Sequence, residues 1–211
     1  VDTRFILCTV VLMAALLAAP SPTTATDPPV AGESPRVSEM PSPTAGETQA
    51  ASCRSCHGAD GNSPFEGIPS LAAQPSIYIR TQIVLYRENR RPIPEMNAAV
   101  AHLTDADIAD IAAYFEQQKP SDPPADTDRA RMMRGRKQAE TRNCHACHQP
   151  NFAGKDQVAR LAGQREDYLL KAMHDFKSGA RVGTDGIMPG KLHGADEEDM
   201  EDLSYFLAHT R

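Results

Sequence analysis

Cys53-Arg-Ser-Cys56-His57 and Cys144-His-Ala-Cys147-His148 are two copies of one five-residue string, 91 residues apart. Two cysteines separated by two residues bring their sulfurs one helical turn apart, within reach of the two vinyl groups of a haem. Each sulfur can add across one vinyl to give a thioether, and the histidine that follows at once can project its imidazole onto the iron. The strings therefore predict two covalently held c-type haems. Cys53, Cys56, Cys144 and Cys147 would be the attachment points, and His57 and His148 the proximal ligands. Other chemistries use cysteines at this spacing. A zinc site wants four ligands at fixed spacing, but each string has its own matching downstream sequence, which argues against one shared site. A thioredoxin-like dithiol would sit in a βαβ pattern, and none is present. No thiols are left for a disulfide: of five cysteines, four belong to the strings and Cys8 lies in an N-terminal apolar run.

The other face of each iron needs an occupant. Met96 and Met188 stand 43 and 44 residues after the first cysteine of their strings. Both are expected in proline-rich loops, Pro92-Ile-Pro-Glu-Met96 and Met188-Pro189, just before the last helix of each half. A thioether is a soft, neutral ligand that favours Fe(II) and raises the reduction potential. The competing reading of a loop methionine is gap-filling, but the matched registers favour ligation. His102 and His193, a few residues beyond each methionine, are the alternative ligands and would make the haems bis-histidine. His145, His174 and His209 have no counterpart in the other half. Met132, Met133, Met173 and Met200 read as helix residues.

Around these residues the chain repeats. Leu71-Ala-Ala-Gln74 answers Leu161-Ala-Gly-Gln164 at an offset of 90, Tyr78 answers Tyr168 at 90, and Met96 answers Met188 at 92. Agreement at separated points with so little drift marks a tandem duplication of one module. Each module reads helical. Thr104-Asp-Ala-Asp107 is a capping box, followed by Ile108, Ile111, Ala112 and Phe115 at helical spacing. Asp196-Glu-Glu-Asp199 repeats the cap before Met200, Leu203, Ser204 and Leu207. Middle helices are expected over Ile77–Tyr86 and Asp167–Phe176. Each haem string should close an N-terminal helix, near 48–56 and 128–147. No strand alternation is convincing. With 5% aromatic residues and no Trp, such small modules have thin cores and need a staple. A haem bonded to protein at several points supplies one, so the apoprotein should be largely unfolded.

The remaining segments are connections. Phe5 to Ala19 runs without a charge after Arg4 and ends Leu-Leu-Ala-Ala-Pro. That is short of the roughly 20 residues a membrane span needs. It reads as a secretory signal over 1–25, with an uncleaved anchor and membrane association as the alternative. Residues 26–49 continue a proline-rich stretch with few large apolar residues and read as a flexible leader. Residues 50–119 form the first module and 128–211 the second. Lys119-Pro-Ser-Asp-Pro-Pro-Ala-Asp126 carries the linker, 120–127. The net charge of −6 gives no basic signature of a nucleic-acid binder.

Cys53 to Asn62, Pro69-Ser-Leu-Ala-x-Gln, Tyr78, Met96, Leu103-Thr-Asp-x-Asp-Ile-Ala and Ala113-Tyr-Phe115 resemble the class I cytochromes c. Two such modules in an exported chain resemble the diheme cytochrome c4 family over about residues 50–210. The resemblance implies an all-α fold of two tandem domains, each wrapped around one haem c. Its covalent attachments would be Cys53, Cys56, Cys144 and Cys147, and its iron ligands His57, Met96, His148 and Met188. It implies an electron carrier rather than an enzyme, periplasmic, exchanging electrons with redox partners, a donor complex and a terminal oxidase. The alternatives are the cytochrome subunit of a periplasmic dehydrogenase, such as a flavocytochrome oxidising sulfide, and a diheme peroxidase or thiosulfate-oxidising enzyme with an open haem. The second half departs from the pattern after His148, with Gln149-Pro-Asn in place of Gly-x-Asp-Gly.

Overall fold

A computed structural model describes residues 40–125, 127–183 and 185–211. The expected signal, the anchor alternative and most of the leader lie outside the described residues. Ten helices are described, five per module in the same order. The first module has α1 (Pro43–Gln49), α2 (Arg54–His57), α3 (Ser76–Arg87), α4 (Pro94–Val100) and α5 (Asp105–Glu116). The second has α6 (Arg129–Thr141), α7 (His145–His148), α8 (Glu166–Ser178), α9 (Ile187–Lys191) and α10 (Glu197–Ala208). Among the described residues the only β pairing is one isolated bridge, Lys155 with Val158.

The last helix of each module forms as its sequence dictates. The Thr104 hydroxyl accepts from the Asp107 amide while the Asp107 carboxylate accepts from the Thr104 amide, and Asp196 and Asp199 repeat the box. Two orphan donors are thus satisfied at each helix start. Ile108, Ile111, Ala112 and Phe115 are all at most 1% exposed, and Met200, Leu203, Ser204 and Leu207 at most 3%. Each stripe anchors its own apolar cluster, one per module.

The N-terminal helices differ from expectation. Residues 43–49, read from sequence as the end of a flexible leader, form α1 and pack on α5. Ser42 caps α1, its hydroxyl accepting from the Ala45 amide, and Pro43 opens the first turn, where its missing N–H costs nothing. Gly46 lets the two helices touch: a Cβ there would lie 2.0 Å from the Asp110 carbonyl oxygen. Gly135 on α6 does the same against Asp202, also at 2.0 Å. Nor does one helix run into either haem string. After α6 the chain passes through Asn143 at φ 55° and restarts as the single turn α7.

The modules meet through loops, and the contacts are reciprocal. The Gln74 side-chain amide donates to the Arg160 carbonyl (2.8 Å) and its oxygen accepts from the Arg160 amide (3.0 Å). Gln164 grips Ser70 in the same way, at 2.8 Å in both directions. Residues 74 and 164, like 70 and 160, are one repeat apart. Contacts that pair i with j and j with i are those of an approximate two-fold axis. The start of the linker is pinned to the first module by Asn62, whose side chain donates to the Lys119 carbonyl and accepts from the Ser121 amide.

Candidate haem sites

Each haem string is a one-turn helix opened by its first cysteine. The His57 amide donates to the Cys53 carbonyl (2.9 Å) and the His148 amide to the Cys144 carbonyl (3.0 Å). This places both sulfurs of a string and its histidine on successive positions of one turn. Cys53 and Cys144 are partly buried, Cys56 and Cys147 exposed, and all four are free thiols. Burial pushes the Cys53 and Cys144 thiols up from their ordinary pKa. The turns end differently. Gly58 leaves at φ 87° into a tight loop, where a Cβ would come within 2.1 Å of the Asn62 carbonyl oxygen. Gln149 holds the same position at φ 71°, ψ 157°, a region that all but glycine avoid. The second-module loop is routed differently, with the Gly154 amide donating to the His148 carbonyl.

His57 and His148 are buried, at 6% and 9% exposure. Each donates its Nδ1 proton to a backbone carbonyl, Pro69 or Ala159, at 2.8 Å in both cases. That bond fixes ring orientation and tautomer and leaves Nε2 free as a donor to a metal. Burial lowers both imidazole pKa values and so favours the neutral, ligating form.

All eight residues singled out from sequence border one apolar cavity of about 520 Å³ shared by the two modules. Met96 and Met188 reach it from the first turns of α4 and α9, not from loops as the prolines suggested. Pro94 opens α4 instead of blocking it, because a first-turn proline gives up no helical hydrogen bond. Among the described residues, His57 and His148 are the only histidines bordering the cavity. His102, His145, His174 and His193 are exposed; His174 pairs with Glu197 at 3.0 Å. His209 stacks on Tyr205. Met173 also borders the cavity, but Ile83 takes its place one repeat earlier.

Sequence reading passed over Arg91 and Arg181, although they too stand 90 residues apart. They are 8% and 7% exposed and border the cavity where the modules meet. Arg181 donates to the Tyr78 hydroxyl (2.9 Å) and to Gln82 (3.2 Å); Arg91 donates to Gln82 (2.8 Å). Both reach the Tyr168 hydroxyl, at 3.3 and 3.4 Å. Burial alone would push the Tyr168 hydroxyl up, but the two guanidinium charges bring it down to about 8. No carboxylate among the described residues pairs with either arginine. Two buried cations without an anion are costly, and a haem carries two propionate carboxylates. Thiols at the mouth, a free imidazole nitrogen in each half, apolar walls and two unmatched guanidinium groups fit haem c in each module.

Fold and site together define a tandem of two class I cytochrome c modules. The Cytochrome c family model matches residues 44–119 and 132–211. The chain belongs to the cytochrome c family, in its diheme cytochrome c4 branch, and binds two haem c groups covalently. It is 36% identical over 172 residues to the cytochrome c4 of Pseudomonas aeruginosa, covering 77% of this chain and 86% of that one. The reduced recombinant cytochrome c4 of Pseudomonas stutzeri superposes with a TM-score of 0.73 at 33% identity, covering 80% of this chain and 98% of that one. A thiosulfate dehydrogenase electron acceptor from Thiomonas intermedia is 30% identical over 145 residues, 64% of this chain and 67% of that one. The chain is thus a diheme electron carrier that exchanges electrons with redox partner proteins, and not itself an enzyme.

Proposed function

We infer that Cys53 and Cys56 would hold the first haem, with His57 and Met96 as its iron ligands, and Cys144 and Cys147 the second, with His148 and Met188. The haem, when bound, supplies a reversible one-electron Fe(III)/Fe(II) couple. The Pro69 and Ala159 carbonyls orient the imidazoles, and the thioethers favour the reduced state. With a histidine and a methionine of each module as iron ligands, no site would be left for a substrate, and the apolar walls would exclude water. The observation that carries this reading is that each module brings to one cavity a histidine and a methionine in matched registers, whereas Met173 has no methionine counterpart.

In this reading the protein is a periplasmic carrier between a donor complex and a terminal oxidase. The charge-free run after Arg4 supports export, as does haem attachment, which is an extracytoplasmic process. A second reading, electron acceptor of a sulfur-compound dehydrogenase, is favoured by the likeness to the Thiomonas intermedia protein. Stopped-flow mixing separates the two. Fast reduction by a thiosulfate dehydrogenase with its substrate supports the second reading, and fast oxidation by oxidase-containing membranes the first. Met96→Ala and Met188→Ala test the ligands. Each should remove about half of the ferric sulfur-to-iron absorption band and open only its own haem to carbon monoxide. Unchanged spectra would exclude methionine ligation.

A further inference from the structure

Across the two-fold arrangement Arg91 answers Arg181 and Glu95 answers Asp185, whereas Arg142, Arg160, Lys171 and Lys191 have no charged counterpart one repeat earlier. Of these, Arg160 stands beside a histidine's acceptor. Arg160 follows directly on Ala159, whose carbonyl takes the His148 proton. One repeat earlier Ser70 follows Pro69, whose carbonyl takes the His57 proton. Both backbones are clamped by the same glutamine contacts, so the two side chains leave from matched positions.

Arg160 borders the shared cavity and is half-buried. Its Nε is buried without a partner, and no carboxylate among the described residues pairs with it. Burial lowers its pKa, but an arginine remains charged at any working pH. A fixed positive charge in a low-dielectric setting opposes the extra positive charge of Fe(III) and raises the potential of the nearer haem. The rim points the same way. The first module contributes only Arg91 and Glu95 as charged cavity residues, whereas the second contributes Arg142, Arg160, Lys171, Arg181 and Lys191 against Asp185. Arg142 and Lys171 are offset by Asp199 and Asp175. Lys191 is half-buried like Arg160, but its ammonium, unlike the Arg160 Nε, is not a buried group without a partner.

We propose that Arg160 is a positioning charge that makes the second-module haem the higher-potential centre, so that the first electron to enter the protein settles there. This rests on the His–Met reading of both irons. The test is a spectroelectrochemical titration of the two-haem protein. The wild type gives two waves, and Met188→Ala displaces the upper one. Arg160→Ser lowers the upper wave, leaves the lower in place, and narrows the gap more than Lys191→Ser does. Arg160→Lys keeps the gap near wild type. Ser70→Arg closes it from the other side by raising the lower wave. The proposal is overturned if Arg160→Ser leaves the gap unchanged, if it moves both waves equally, or if Met188→Ala displaces the lower wave. A haem count below two per chain, or a sulfur band unaltered in Met188→Ala, would remove the ligand reading and this proposal with it; a full count and a halved band locate any failure in Arg160 alone.

Discussion

The crossing of α1 with α5 and that of α6 with α10 share a geometry and differ in chemistry. In both, a glycine admits the facing backbone, and an aromatic residue, Tyr114 or Phe206, closes over it. In the first module the polar contacts are few: Asp110 accepts from the Ser42 amide and Asp107 from Gln49. In the second, Asp202 accepts from Arg134 through both oxygens (2.5 and 2.9 Å), Arg131 lies 3.5 Å away, and Asp199 accepts from Arg142 and Gln138. Arg131 and Arg136 also cover the Tyr205 and Phe206 rings. The glycine and the aromatic set the crossing. The charged ladder is a layer added in one half, where the longer α6 gives it room.

Substitutions can break this comparison. The largest effect is expected from the shared element: Gly46→Ala and Gly135→Ala should each destabilise their own module by about 3 kcal/mol, the upper end for overpacking, because the new methyl meets backbone. Equal losses in thermal or denaturant unfolding would confirm that the crossings are equivalent. The ladder should separate them. Asp202→Asn should cost about 1–2 kcal/mol, discounted because Arg134 is half-exposed. Asp110→Asn should cost less than about 1 kcal/mol. Gln149→Gly should stabilise the second module by about 1 kcal/mol by relieving its backbone, whereas the first module has its glycine already.

Acid gives the smallest contrast. The Arg134 hydrogen bond and charge hold the Asp202 carboxyl below its ordinary value, against burial. A carboxylate with a lowered folded pKa stabilises fully above its unfolded pKa of about 3.9 and loses that contribution as pH falls through the folded value. The second module should therefore lose this seam below about pH 4, an effect that Asp202→Asn abolishes.

The parts of the fold legible in sequence were those with short-range signatures. The capping boxes and apolar stripes of α5 and α10, and the middle helices to within two residues, follow from local periodicity and capping. α1 did not show because its seven residues carry no apolar stripe. It is held by a tertiary contact at Gly46, and the signals that mark it are Ser42-Pro43 and the 89-residue spacing of Gly46 from Gly135. The cysteines and histidines of the cavity, with Met96 and Met188, could be named from spacing and repeat register; Met173 could not. Arg91, Arg181 and the role of the glutamines could not, because a charge awaiting a ligand and an amide awaiting a backbone look like any polar residue until the other module is in place.

The glutamine clamps have a consequence for the history of such a chain. Gln74 and Gln164 read only the peptide groups of Arg160 and Ser70, the part of a protein that substitution leaves alone. A duplicated molecule joined in this way can let the side chains at its seam diverge, one half gaining an ion the other lacks, while the halves stay in register.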